Sequence, residues 1–253
     1  MRNIILKFIP GILLLFLWEY VASHDKSVLF FFSSPSKVIS LLLKELQNAN
    51  MWHNIGVTFI EASLGLIIGT LLGTIVGLLI WVNDIMRKML EPYLLILGAI
   101  PIFALAPMLI IWFGIGLMSK VFMAAFSVFL VALAQSYDGT KNAAEKYTLF
   151  TESLGISRMK MMYKIILPGS LQWILSGLKM NIGLALLGAF IGEFVSSTAG
   201  LGFYILREGS LFNTAGVLVG IILLTCLSFF FNLILDAIKK YLLPWVNYQK
   251  NNG

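Results

Sequence analysis

Long apolar runs separated by short polar stretches dominate the chain. A membrane-spanning helix needs roughly 20 mostly apolar residues. Segments of that kind predict six spans, at about 4–22, 55–82, 92–113, 119–137, 172–193 and 214–238. Between the first two, residues 35–50 repeat their apolar positions with helical spacing, which predicts an amphipathic surface helix opened by Pro35 and Ser36. The pattern therefore predicts an all-α integral membrane protein in which residues 1–253 form one domain.

The composition supports a membrane protein. Of the 253 residues 59% are hydrophobic and 12% are charged, whereas soluble domains have about 45–50% apolar and about 25% charged residues. These values exclude a soluble enzyme, a disordered chain and a disulfide scaffold. Cys226 is the one cysteine, which excludes an intrachain disulfide and a multi-cysteine metal site.

The first predicted span has one alternative interpretation. Arg2 and Lys7 before an apolar run also occur in cleaved signal peptides. The run ends in Trp18-Glu19-Tyr20 rather than in the small residues of a cleavage site. We therefore interpret it as a retained span.

Basic residues predict the orientation, because they concentrate on the cytoplasmic side of membrane proteins. With a cytoplasmic N-terminus, five basic residues fall outside: Lys26, Lys37, Lys44, Lys120 and Arg207. Twelve fall inside, namely Arg2, Lys7, Arg87, Lys88, Lys141, Lys146, Arg158, Lys160, Lys164, Lys239, Lys240 and Lys250, and Lys179 lies near the same side. Both termini and the loop 138–171 are thus predicted to be cytoplasmic, with residues 35–50 on the outer surface. The net charge of +6 is explained in this way without a nucleic-acid partner.

Four glycines repeat at intervals of four in the second span: Gly65, Gly69, Gly73 and Gly77. Residues at this spacing share one helix face, so they form a smooth ridge that another helix backbone can approach closely. Two interpretations are open, which are tight packing within the monomer and a surface along which helices slide.

Two prolines interrupt the third span. Pro101 and Pro107 each remove a backbone hydrogen bond and bend a helix. Freed carbonyls at membrane depth are tolerated where they meet neighbouring helices or line a cavity. The span is either part of a conduit or a structural helix with kinks.

Ionisable side chains inside membrane spans are costly and are candidates for function. Such candidates for the translocation pathway are Glu61, Lys179 and Glu193, with Asn181 nearby. For Glu61 the alternative is a structural hydrogen bond to a neighbouring helix. Glu19 and Asp236 lie close enough to span ends to reach the interface or to pair there.

No pattern of a catalytic site is present. His24 and His53 do not form a zinc-binding pair, and the sequence contains neither a G-x-x-x-x-G-K-[ST] phosphate-binding loop nor a G-x-S-x-G nucleophile elbow. A membrane enzyme is therefore not expected. We expect a transport subunit that binds no metal and no cofactor and whose energy comes from another subunit.

The loop 138–171 carries a recognisable spacing. Gly155 is followed at the tenth, twelfth and thirteenth positions by Ile165, Leu167 and Pro168. This resembles the cytoplasmic signature of permease subunits of binding-protein-dependent ABC importers, which reads EAA, three residues, G, nine residues, I-x-L-P. The positions of the E-A-A triplet hold Leu149, Phe150 and Thr151, so the acidic residue of the signature is missing, and Glu152 stands three residues later.

Further stretches resemble the nitrate/sulfonate/taurine branch of this family. Residues 99–116 (AIPIFALAPMLIIWFGIG) are similar to its P-x-x-A-x-A-P-L-x-x-x-W-F-G-I-G run. Glu193-Phe194 followed by Gly200-Leu201-Gly202-Phe203 is similar to its E-F-x(5)-G-L-G-Y stretch, and Pro35-Ser36 after the first span matches as well. The resemblance extends over nearly the whole chain from about residue 30.

The resemblance implies a type I ABC importer permease bundle of about six membrane helices in the bacterial inner membrane. It implies a second copy of the chain, cytoplasmic ATPase subunits that bind the ATP, and an external substrate-binding protein. Segment 148–162 would form two short helices around Gly155 and dock on the ATPase, with Leu149, Phe150 and Leu154 among the contacts. The alternative for this segment is an interfacial helix lying on lipid.

The resemblance leaves the solute open. Members of the branch carry nitrate, sulfonates, taurine or bicarbonate, and others carry pyrimidine-type vitamin precursors. A channel or an ion-coupled secondary transporter is the rival of another class. It predicts inverted repeats or paired acidic ion sites across spans, and neither is visible here.

Overall fold

The structure is a computed structural model, and it describes residues 2–98, 100–153 and 157–242. Throughout these ranges the regular secondary structure is helical. The helices are α1 (Arg2–His24), α2 (Lys26–Phe32), α3 (Pro35–Glu45), α4 (Ala49–Val82), α5 (Asp84–Gly98), α6 (Ile102–Phe113), α7 (Leu117–Ser153), α8 (Arg158–Met161), α9 (Leu167–Val195), α10 (Leu201–Ser210) and α11 (Thr214–Leu242). A π-helical turn, Met162–Ile166, joins α8 to α9.

Four of the described helices are long and apolar enough to cross a membrane, namely α4, α7, α9 and α11. The pair α2 and α3, which is bent by 41°, raises this number to five if it counts as one broken span. The apolar part of α1, Ile9–His24, and helix α6 are shorter. The sequence-based number of six spans is therefore approximate.

Helices α4 and α7 run parallel, which determines how the chain connects them. Gly65 of α4 lies against Ala124 of α7, and Gly77 lies against Leu133. Two parallel neighbours require the chain between them to return to its starting end. Helices α5 and α6 make that return, so the predicted third span is a crossing broken between Gly98 and Ile102 rather than one bent helix.

The glycine ridge of α4 faces α7 along its whole length. A Cβ at Gly69, Gly73 or Gly77 would overlap carbonyl oxygens of α7, and all four ridge glycines are buried. The ridge therefore lies in close contact with a helix of the same chain. Ala124 is held from two sides, because Gly188 of α9 also packs against its backbone.

Pro101 and Pro107 have different local roles. Pro101 (φ −65°, ψ 122°) is the N-cap of α6 and separates it from α5. Proline suits a helix start, because its fixed φ is compatible with the helix and its missing N–H would have no partner there. Pro107 lies inside α6. Helix α6 ends at Phe113, and Gly114 after it has a φ of 76° and a ψ of −179°, a combination that is essentially restricted to glycine.

Helix α3 is amphipathic and begins at Pro35 as the pattern predicts, but it ends at Glu45 rather than near residue 50. The Ser34 hydroxyl caps it by accepting the amide N–H of Lys37, and Pro35 occupies the first turn. The Glu19 carboxylate of α1 accepts both the amide N–H and the hydroxyl of Ser36, at 2.9 and 2.7 Å. Val38 packs into the main core, so protein covers the apolar face of α3.

The region predicted as loop 138–171 is mostly helical. Helix α7 does not end near residue 137 but continues to Ser153, and α9 begins at Leu167 rather than at 172. Ile166 and Met162 are buried with Ala143 and Ala144 in a core of their own. This core holds the π-helical turn against the C-terminal half of α7, because apolar side chains of both segments are buried together.

Candidate functional site: a capped acidic cluster and a membrane cavity

The Glu193 carboxylate caps the N-terminus of α10. Oε2 of Glu193 accepts the amide N–H of Gly202 at 2.6 Å, and Oε1 accepts the hydroxyl of Thr58 at 2.6 Å. The Thr58 hydroxyl in turn accepts the amide N–H of Leu201 at 2.8 Å. The Asn54 side chain accepts the amide N–H of Gly200 at 3.0 Å. The first backbone donors of α10, which have no partner inside the helix, are thus satisfied by α4 and α9.

The Gly-Leu-Gly sequence is required by this contact. A Cβ at Gly200 would overlap the Glu193 carboxyl group, and one at Gly202 would lie 2.7 Å from the carbonyl oxygen of Phe190. Gly200 also has a φ of 108°, which residues with a Cβ rarely adopt. The motif of Glu193 followed by Gly200-Leu201-Gly202 therefore forms a helix cap at one end of the bundle.

Two more charged groups lie beside this cap. Glu61 is 3% exposed and Lys120 is 2% exposed, and both interact electrostatically with Glu193, which is fully buried. The ammonium group of Lys120 also donates a hydrogen bond to the carbonyl oxygen of Ile115. One oxygen of Glu61 has no hydrogen-bond partner among the described groups. The positive end of α10 and the ammonium group of Lys120 both favour negative charge at Glu193.

The sequence identified the two acids of this cluster but not their partners. Lys120 was placed among the outer-loop basic residues, whereas it is buried. Asn54 and Thr58 carried no signal of their own. The signal that could have found them is the glycine pair after Glu193, because a Gly-x-Gly that opens a helix leaves free amides for a nearby acceptor.

The remaining predicted pathway residues are distributed over the structure. Lys179 forms an ion pair with Asp236 of α11, with 3.0 Å between Nζ and Oδ1, and both side chains are about half exposed. Asn181 is buried, and its Oδ1 has no partner among the described residues. Neither lies in the acidic cluster or in the lining of the cavity described next.

A cavity of about 770 Å³ opens between the break of α5 and α6 and the helices α7 and α9. Gly98, Ile100 and Ile102 line it at the break, so Pro101 stands at its edge. Its polar lining comes from α7 and consists of Ser127, Gln135, Tyr137 and Asp138. A mostly apolar pocket with a few polar groups is the usual form of a small-molecule site.

The predicted coupling residues lie at the opposite end of the bundle from the acidic cluster. Ile165 lies in the π-helical turn, and Leu167 and Pro168 form the first turn of α9. Leu149, Phe150 and Thr151 belong to the last turns of α7. Leu154 and Gly155 lie outside the described residues. On the two sides of these residues, α7 is described as far as Ser153 and α8 from Arg158.

Comparison with known proteins gives consistent matches. The family described as binding-protein-dependent transport system inner membrane component matches residues 65–248. A probable ABC transporter permease protein of Haemophilus influenzae is 32% identical over 220 residues, covering 87% of this chain and 89% of the relative. The taurine transport system permease protein TauC of Escherichia coli is 28% identical, with 96% and 90% covered. The formylaminopyrimidine transport permease protein ThiX of Halalkalibacterium halodurans is 26% identical, with 92% and 93% covered.

A solved structure shares the fold. A chain from the inward-facing MetNI methionine ABC transporter superposes with a TM-score of 0.62 at 18% identity, covering 79% of this chain and 96% of that chain. At this identity the likeness concerns the fold, which is that of a type I ABC importer permease. The protein is accordingly a multi-pass membrane protein that belongs to the family of inner-membrane permease components of binding-protein-dependent ABC transport systems.

Proposed function

We propose that this chain is the membrane-spanning subunit of an ATP-driven importer and that two copies together form the pathway. The observation that carries the proposal is the cavity between the broken crossing and α7, which lies within a permease fold. Within one copy the cavity is lined by α4, α5, α6, α7 and α9. A second copy would complete a central pathway whose access alternates between the two faces of the membrane.

The proposed orientation places both termini in the cytoplasm of a bacterial cell and the acidic cluster near the outer face. Lys37 and Lys44 on α3, and Arg207 on α10, lie toward this outer face, while Lys160 and Lys164 lie beyond the other ends of the spans. The excess of basic residues at the second end supports a cytoplasmic location for it. A binding protein would deliver the solute at the face that carries α3 and α10.

Coupling to the ATPase is proposed for segment 148–162. Helix on both sides of residues 154–156 is compatible with the expected pair of short helices around Gly155. The chain would bind no ATP itself, and nucleotide would be held by the partner subunits. Since the acid of the family signature is absent at Leu149, the contact would depend on apolar side chains such as Phe150 and Leu154.

Two classes of solute fit the relatives. TauC and two aliphatic sulfonate permeases named SsuC suggest a sulfonate-type or other small anionic solute. ThiX and the riboflavin permease RibX of Chloroflexus aurantiacus suggest a vitamin or its pyrimidine precursor. The identities, from 23% to 28%, do not separate the two classes.

The test is co-purification with the ATPase subunits and solute-stimulated ATP hydrolysis in liposomes. Leu154→Asp should release the ATPase or uncouple hydrolysis from uptake, because a charge would enter an apolar contact. Leu211→Asp, the same substitution at an exposed leucine of the α10 end, is the matched control and should retain the ATPase. A permease that transports solute with no ATPase bound would instead be a channel or a secondary transporter.

A further inference from the structure

We infer that the acidic cluster of Glu61, Glu193 and Lys120 is a proton-binding site, in which Glu61 carries the proton and donates it to the Glu193 carboxylate. The inference goes beyond the proposed transport function and depends neither on the solute nor on the ATPase. The proton joins α4 to α9 by a hydrogen bond that the two carboxyl groups cannot form when both are ionised.

The contact between the two carboxyl groups is the first reason. Glu61 and Glu193 are both buried, and their carboxyl groups lie within hydrogen-bonding range of each other. An ionised carboxylate can only accept hydrogen bonds, whereas a protonated one also has an O–H group to donate. Two carboxylates in contact repel each other, but the contact becomes a charge-assisted hydrogen bond when one of them carries a proton. The pair therefore requires one proton.

The donors around the pair place the proton on Glu61. Glu193 already accepts the amide N–H of Gly202 and the hydroxyl of Thr58, one on each oxygen. The N-terminus of α10 also favours negative charge at Glu193. In contrast, one buried oxygen of Glu61 has no hydrogen-bond partner among the described residues. A carboxylate that accepts several donors is stable in its charged form, whereas a buried one without donors is costly to ionise.

The charge balance of the cluster is the third reason. Glu193 of α9 and Lys120 of α7 are the ionisable groups that act on Glu61, and α10 contributes backbone N–H groups. With the proton on Glu61, the cluster contains one carboxylate and one ammonium group. A second carboxylate would leave one negative charge uncompensated at a buried position, which is strongly unfavourable. One proton therefore makes the cluster neutral.

Glutamine substitutions distinguish the two carboxyl groups. The side chain of glutamine is neutral, has nearly the shape of a protonated glutamate and can donate a hydrogen bond. At position 61 it can replace the protonated acid and still donate to Glu193. At position 193 it removes the negative charge and turns an NH₂ group toward either the Gly202 amide or the Thr58 hydroxyl, which are themselves donors.

The decisive experiment is infrared difference spectroscopy of the purified full-length permease in lipid vesicles at neutral pH. The carbonyl stretch of a protonated carboxyl group is separate from the carboxylate bands, and it shifts on exchange into deuterium oxide. The difference between wild type and Glu61→Gln should contain this band at the intensity of one carboxyl group per chain.

Glu208→Gln is the matched control for the spectra. Glu208 is also a buried glutamate, but its carboxylate accepts the side-chain amide of Asn213 at 2.6 Å. The difference between wild type and Glu208→Gln should therefore contain a carboxylate band and no band of a protonated carboxyl group.

Melting temperatures of the same variants give an independent measurement. Glu61→Gln should melt close to wild type, because the donor to Glu193 is retained. Glu193→Gln should melt about 2–4 °C lower than Glu61→Gln, since one buried donor loses its acceptor. The reverse assignment, with the proton on Glu193, predicts the reverse order.

Three results would overturn the inference. The first is a wild-type spectrum at neutral pH without a band of a protonated carboxyl group, a measurement that does not depend on the folding of any variant. The second is loss of a carboxylate band in Glu61→Gln, which would make Glu61 an ionised partner of Lys120. The third is loss of the protonated band in Glu193→Gln instead of Glu61→Gln, which would assign the proton to Glu193.

Discussion

The Glu193 carboxylate accepts the amide N–H of Gly202 across a turn of eight intervening residues, at 2.6 Å. This bond links the end of a membrane helix to the start of the short helix α10 that follows. Thr58 of α4 joins the same bond network. The bonds thereby hold α4 together with the end of α9 and the start of α10 at one end of the bundle.

Removing the carboxylate should destabilise this end of the protein. Glu193→Ala leaves the Gly202 amide buried without an acceptor and leaves the Thr58 hydroxyl with only the Asn54 carbonyl oxygen, at 3.2 Å. An unsatisfied buried group costs about 1–3 kcal/mol. We expect a clearly lower melting temperature of the permease in detergent. Glu193→Gln keeps one acceptor oxygen and should lose less. Equal melting temperatures for wild type and Glu193→Ala would show that the cap contributes nothing to stability.

Gly200→Ala should be damaging although it adds a single methyl group. The methyl group would overlap the Glu193 carboxyl, and alanine disfavours the φ of 108° at this position. We expect reduced yield of folded permease and a lower melting temperature. Gly183→Ala is the control, because a Cβ at that position meets nothing within 4 Å. If the two variants behave alike, the close approach at Gly200 is not required.

The glycine ridge should not tolerate a large side chain. Gly69→Leu would force α4 away from the backbone of α7 at Ala125, since a Cβ alone already overlaps it. Overpacking of this kind costs about 1–3 kcal/mol or more. We expect impaired assembly, measured as the monodisperse fraction in size-exclusion chromatography.

The control for the ridge lies on the same helix. Gly56→Leu adds the same side chain where nothing lies within 4 Å of the Cβ, so it should assemble normally. Normal assembly and transport by Gly69→Leu as well would contradict the packing of α4 on α7.

The orientation can be tested with two single cysteines in a Cys226→Ser background, since Cys226 is exposed. Lys37→Cys on α3 and Lys160→Cys on α8 should react from opposite sides of the membrane, with Lys37→Cys accessible from outside intact cells. The assay is labelling by a membrane-impermeant maleimide before and after cell lysis. External labelling of both positions would refute the proposed orientation.

Local patterns in the sequence were sufficient to predict the long apolar helices and the amphipathic helix α3. The apolar runs of α4, α7, α9 and α11 are so long that a bilayer leaves them no other structure than helix, because every backbone group must be hydrogen-bonded internally. The spacing of four also placed Gly65 to Gly77 on one face. These properties depend on residues near one another in the chain, which a linear pattern records.

Contacts between distant segments required the tertiary structure. The burial of Lys120, the cap of Glu193 on α10 and the pairing of Lys179 with Asp236 each join residues from different helices. The sequence indicated that these charges inside apolar segments need partners, but it could not say which. Their partners depend on how the helices pack. The parallel packing of α4 on α7 along the glycine ridge depends on the fit between segments about 60 residues apart. The same packing places Asp138 in a cavity rather than in a cytoplasmic loop, because α7 continues through the position where the hydrophobic pattern alone predicted its end.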